Sequence, residues 1–210
     1  RPALCVDALR LGRILAGLAP DEPEVHGLVA RRELQASRAP ARVDADGAPV
    51  LLLDQNRARW DRLLIRSGLA ALDRAVALGG IRGPYVLQAA LAACHARALT
   101  PEATDWRMIA SLYGVLGEVA PSPIVELNRG VAVAMAVGPA AGLAIVDTLT
   151  EALADYHLLP SVRGDLLIKL GRLTEARAEL ERAAAMTRNT RERALLLERA
   201  AACGSESGKA

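Results

Sequence analysis

The sequence predicts an all-α fold. The first observation is compositional: hydrophobic residues make up 52% of the 210, aromatics only 2%, and phenylalanine is absent. Much of the apolar fraction is alanine and leucine, the best apolar helix formers, so the core must come from aliphatic helix–helix packing. The second is the stretch Leu159–Thr187, which reads as two helices joined at Gly171-Arg172. Gly164, Leu167 and Leu170 line the first, and Leu173, Ala176, Leu180, Ala183 and Ala184 form the stripe of the second. Gly164 and Ala176 are small where the helices cross, and Gly171 supplies the left-handed residue that ends the first. The third is repetition at about 34 residues, the period of tetratricopeptide hairpins. Gly130, Val133, Gly142, Val146 and Leu149 stand in the places of Gly164, Leu167, Ala176, Leu180 and Ala183, and the turn glycine Gly138 is slipped by one position against Gly171.

The expected organisation is an irregular helical subdomain over 1–120, tetratricopeptide-like repeats with a capping helix over 121–203, and a flexible tail over 204–210. An ordinary bundle of alanine-rich hairpins is the alternative to repeats. In chain order, Leu4–Leu18 reads as an amphipathic helix with Leu4, Ala8, Leu11, Leu15 and Leu18 on one face, stopped by Pro20. A second helix runs from Pro23 to about Ser37. Its Arg31-Arg32-Glu33 turn is read as a solvated face or a contact surface for a missing part of the chain.

Ala39–Pro49 is a loop. Its Asp44-x-Asp46-Gly47 opens like a calcium loop, but the later ligands are missing and a turn is expected. A long helix is expected from Asp54, as N-cap, to about Leu78. On it Arg57, Trp60 and Asp61 share one face, either as an ion pair beside a core tryptophan or as an interface anchor. Further helices are expected over Tyr85–Ala98, from Thr104 or Asp105 to Val119, and over Arg191–Ala202, the last with a polar face suited to a solenoid cap.

Charge and motifs exclude several classes. The net charge of +2 gives no electrostatic case for nucleic acid, and few aromatics argue against a base-stacking surface. No apolar run approaches a membrane span. Cys5, Cys94 and Cys203 have neither pairing nor metal spacing and are read as reduced thiols of a cytoplasmic protein. His26, His95 and His157 have no metal spacing, and Cys94-His95 point about 100° apart on a helix, so they form no dyad. No phosphate loop, HExxH, CxxC or GxSxG is present, so neither a cofactor nor an enzyme is expected. The polar cluster Glu126, Asn128 and Arg129 lies inside an apolar stretch, on the helix that lines the groove of a tetratricopeptide array. It is read as a register-fixing polar network or as a partner-recognition patch. The chain starts at Arg1, as a fragment of a longer protein would.

Several segments carry a resemblance. In order they are PDEPEVHGL (20–28), SRAPARVDADG (37–47), LLLDQNRARWDRLLI (51–65), GPYVLQAALAACHA (83–96), TDW (104–106), APSPIVELNRGVAVAMAVGPAAGL (120–143) and YHLLPSVRGDLLIKLGR (156–172). Together they resemble the C-terminal tetratricopeptide-like extension of bacterial extracytoplasmic-function RNA polymerase sigma factors. The resemblance implies a helical domain that follows the two promoter-reading domains and controls or supports its own sigma core, encoded near small DGPF or YCII-like proteins and without an obvious anti-sigma factor. The partners implied are the sigma core and RNA polymerase, with Arg57, Trp60, Asp61, Glu126, Asn128 and Arg129 as interaction residues. The sigma regions that read promoters are outside this chain, so direct DNA binding is not carried over. Arg31-Arg32 is more polar than the corresponding family turn. A generic peptide-binding scaffold and a small-molecule-sensing helical domain are the alternatives.

Overall fold

The computed structural model describes residues 2–206. They form ten α-helices, and among the described residues the only β-type pairing is one isolated bridge between Val43 and Pro49. The all-α expectation holds. The chain divides into two compact units, Arg1–Pro121 and Ser122–Ala210, each with its own apolar core.

The first unit contains α1 (Pro2–Leu18), α2 (Pro23–Ala36), α3 (Arg62–Ala77), α4 (Pro84–Arg97) and α5 (Trp106–Val119). α2 is its centre and packs on α1, α3 and α4, while α5 packs on α4. Small residues make that centre possible: a Cβ at Gly27 would lie 2.7 Å from the Val86 amide nitrogen. At the same junction α2 lends α4 its cap. Gly83, the N-cap of α4, has no side chain to offer, and the Glu24 carboxylate accepts from the Tyr85 and Val86 amides at 3.0 and 3.1 Å.

Three expectations for the two units are corrected. The helix expected from Asp54 starts at Arg62. A short 3₁₀ turn occupies Arg57–Arg59, with the Asn56 side chain accepting from the Ala58 amide. Trp60 and Asp61 are extended, and Asp61 is the true N-cap, its Oδ1 accepting from Leu63 and Leu64 at 2.9 and 3.1 Å. The extended bend carries Trp60 into the core, where only 3% of it is exposed, and the buried indole outweighs the local helical pattern. The leucine face of α1 is turned outward: Leu4, Leu11, Leu15 and Leu18 are exposed, Leu18 to 79%. α1 instead lays its narrower side, Ala8, Leu9, Gly12 and Ala16, towards α2.

The Arg31-Arg32-Glu33 turn, expected as a solvated face or a contact surface, holds a buried acid. Glu33 is 1% exposed and paired with Arg13 of α1 at 2.7 Å, while Arg32 is exposed. Finally α10 continues through Glu206, because Leu196, Ala200 and Cys203 extend one buried stripe. Residues 204–206 are thus helical, and the rest of the expected tail, 207–210, lies outside the described residues. The Asp44–Gly47 segment is a turn, as expected. Asp44 Oδ1 accepts from the Asp46 and Ala48 amides, and Gly47 has φ of 76°.

The second unit is a run of hairpins, α6 (Pro123–Ala136) with α7 (Pro139–Asp147) and α8 (Leu158–Lys169) with α9 (Leu173–Met186), closed by α10 (Thr190–Glu206). Each helix packs on the next in sequence order, as in a helical repeat solenoid. The matched small positions are the crossing points. A Cβ at Gly142 would lie 2.6 Å from the Gly130 carbonyl, and one at Gly164 would lie 2.9 Å from Leu180 Cγ. The α8–α9 turn is a Schellman cap: the Arg172 amide donates to Leu167 O, the Gly171 amide donates to Ile168 O, and Gly171 has φ of 73°. Arg163 of α8 reaches Asp147 at the end of α7 and Glu179 of α9, at 2.7 and 2.8 Å.

Candidate interaction surfaces

Arg57 and Trp60 meet, but inside the first unit. The Arg57 side chain is 6% exposed with its guanidinium 5.0 Å from the Trp60 ring centroid. Its Nη1 donates to the His95 and Ala98 carbonyls, both at 2.7 Å, and its Nη2 donates to Thr104 Oγ1 at 3.1 Å. One buried cation therefore ties the carbonyl end of α4 to the connection leading into α5, where helix carbonyls lack intrahelical partners. Asp61 does not join this cluster, since its carboxylate caps α3.

The charges that act on His95 are positive. His95 packs edge-on against Trp106, with ring centroids 5.4 Å apart. Burial, then Arg38 and Arg57, hold its pKa down to about 4. Arg38 is lowered to about 10, first by burial and then by Arg42 and Arg57. Burial and Asp105 push the Cys94 thiol up, which keeps it protonated and a poor nucleophile at neutral pH.

In the second unit, Glu126 and Arg129 form a two-pronged ion pair along α6 at 2.8 and 2.6 Å. The hydrogen bond from Arg129 lowers the Glu126 pKa and raises that of Arg129. Asn128, on the same turn, is exposed. Leu127 and Gly130 face the core, so the polar residues sit on the uncovered side of an otherwise apolar helix.

An apolar surface runs along the outward side of α1. Leu4, Leu11, Leu15 and Leu18 of α1, together with Val6 and Ile14, are all exposed. The stripe was legible in the sequence, but whether it met a partner within the chain was not. Beside it, a cleft between α1 and the C-terminal turn of α2 was missed, although the polar Arg31-Arg32 turn marks one wall. Among the described residues, no group of three or more His, Cys, Asp or Glu is placed to hold a metal ion, and no helix is long and apolar enough to cross a membrane.

Residues 1–76 match the model of DUF6596, a family of unknown function. The chain is 50% identical over 193 residues to an uncharacterized protein of Rhizobium meliloti (strain 1021), a span covering 92% of this chain and 45% of that protein. The chain thus spans less than half the length of this relative. No solved structure matches it.

Proposed function

We propose that the chain is a regulatory protein-interaction domain of an extracytoplasmic-function sigma factor. In this reading it is non-catalytic and controls transcription initiation by docking on its sigma core or on RNA polymerase. The observation that carries the reading is the outward leucine stripe of α1. Four leucines at helical spacing, with Leu11 exposed to 64%, form the kind of contiguous apolar surface that monomeric proteins rarely leave to water. The motif resemblance supplies the partner. The length of the Rhizobium relative, more than twice the matched span, is compatible with a further region to dock against.

The test is co-purification of the tagged chain with a separately expressed sigma core, followed by titration of the purified pair. The paired change Leu11→Glu and Leu15→Glu is expected to weaken binding by at least about tenfold, roughly 1.4 kcal/mol, without loss of helicity. Unchanged binding would remove α1 from the interface, and no binding by the unaltered chain would reject the docking reading. Replacing Asn128 and Arg129 with Ala asks the same of the α6 patch. A second reading, a small-molecule-sensing domain, is favoured by the cleft beside α1.

A further inference from the structure

The cleft opens between the first turns of α1 and the last turn of α2 and has a volume of about 270 Å³. Cys5, Ala8 and Leu9 of α1 form one wall; Arg32, Gln35 and Ala36 of α2 form the facing one. Ala39 and Arg42, from the 3₁₀ turn after α2, close the end. The lining therefore combines a small apolar floor with two guanidinium groups. Arg42 is held at the rim by a hydrogen bond from its Nη2 to the Gln35 carbonyl at 3.0 Å.

The charges at this site are unbalanced. Arg13, Arg74, Arg82, Arg97, Arg129 and Arg163 each lie within ion-pair distance of a carboxylate. Among the described residues, Arg32, Arg38 and Arg42 make no ion pair. Arg38 stands over the Trp60 ring at 5.9 Å, and the charges acting on it, Arg42 and Arg57, are both positive. Of the acids nearby in sequence, Glu33 is buried and engaged by Arg13, Asp44 accepts from the Asp46 and Ala48 amides, and Asp7 is exposed and does not line the cleft. In a chain of net charge only +2, this is a local cationic concentration beside an apolar hollow. Cations that have no ion-pair partner in the protein attract anions, and guanidinium groups match the planar two-oxygen geometry of carboxylates.

We infer that this cleft binds a small organic carboxylate, its head group held by Arg32 and Arg42 and its short apolar body laid against Leu9 and Ala36. The size limits the ligand: the volume lies just below the range of roughly 300–1,000 Å³ typical of drug-sized ligands, so the fit is to a metabolite-sized acid. Because α1 supplies one wall and α2 the other, an occupant bridges the two helices. This inference does not rest on sigma-core docking, and its test reads a different event.

Cys5 supplies the readout, since its thiol is exposed and lines the cleft, whereas Cys203 is buried. The full chain is alkylated with iodoacetamide and Cys5 labelling is followed by mass spectrometry, with benzoate or butyrate as probe. The matching amides, benzamide and butyramide, and inorganic phosphate are run at equal ionic strength. The carboxylates are expected to slow Cys5 labelling by about tenfold at ten times their dissociation constant, by mass action. Labelling of Cys94 should not change. Arg32→Gln and Arg42→Gln are each expected to abolish the protection while the far-UV circular dichroism stays that of the unaltered chain.

Three results would overturn the inference: no protection by either carboxylate, equal protection by the amides, or equal protection by phosphate. The first means an empty cleft, the second apolar filling without charge recognition, and the third non-selective anion binding. The comparison of acid with amide on the unaltered chain stands even if a variant fails to fold. A chain that docks on the sigma core yet shows no protection fails this inference alone, and the reverse pattern fails docking alone.

Discussion

Arg13 and Glu33 form a pair in which one partner is buried and the other reaches water, with side-chain exposures of 1% and 55% for the acid and the arginine. Removing Arg13 leaves a carboxylate out of water with no counter-charge. Arg13→Met is therefore expected to destabilise the first unit by about 2 kcal/mol, and Arg13→Met with Glu33→Met to recover most of that loss. Urea denaturation of the three chains checks this. Failure of the double variant to recover would mean that the pair acts through packing rather than charge. His95 gives a second residue-scale prediction, with a definite sign. Its folded pKa of about 4 lies below the ordinary 6.5. Above pH 6.5 both states are neutral and the full stability is present. As pH falls from 6.5 towards 4 the unfolded chain takes up the proton first and stability declines, by at most about 1.4 kcal/mol per pH unit. His95→Gln should flatten that part of the profile relative to the unaltered chain, and an unchanged slope would assign the decline to other groups.

At the scale of elements, α1 and the α6–α7 hairpin obey opposite rules. The hairpin is set by close approach: Gly142 faces the Gly130 carbonyl with no space for a Cβ. Gly142→Ala is expected to cost about 2 kcal/mol through overpacking, even though alanine is the better helix former by about 1 kcal/mol. A gain in stability would mean that the crossing relaxes freely. α1 shows the reverse, because its large residues are outside and its small ones inside. Exposed leucines contribute little to folding, so Leu11→Glu with Leu15→Glu should change stability, followed through the thermal midpoint, by no more than the ~0.5 kcal/mol of ordinary surface substitutions while raising solubility. A large fall in the midpoint would place those leucines in the folded core.

Across the whole molecule, two cores offer a way to separate events. Both tryptophans, Trp60 and Trp106, lie in the first unit. Tryptophan emission therefore reports on α1–α5 alone, while far-UV circular dichroism reports on all ten helices. Gly142→Ala is expected to shift part of the dichroism transition and leave the emission transition in place, as domains with separate cores unfold in separate steps. Coincident shifts in both signals would mean that the two units unfold as one.

The sequence by itself determined what depends on short-range pattern. The all-α class follows from alanine and leucine, and the hairpins of the second unit follow from small residues and turn glycines recurring at a fixed step, since a hairpin closes over neighbours in the chain. The same information marked Trp60, Arg57 and Asp61 as notable without saying how. Only the tertiary structure decided that Trp60 is pulled into a core built from α2, α3 and α4, that Arg57 ties down the end of α4, and that Asp61 rather than Asp54 starts α3. It also decided which side of α1 faces α2. A helical stripe states that a face is apolar, but its covering depends on partners distant in sequence. Here Arg13 reaching the buried Glu33, and Gly12 approaching Val29, turn the small side inward and leave the leucines out.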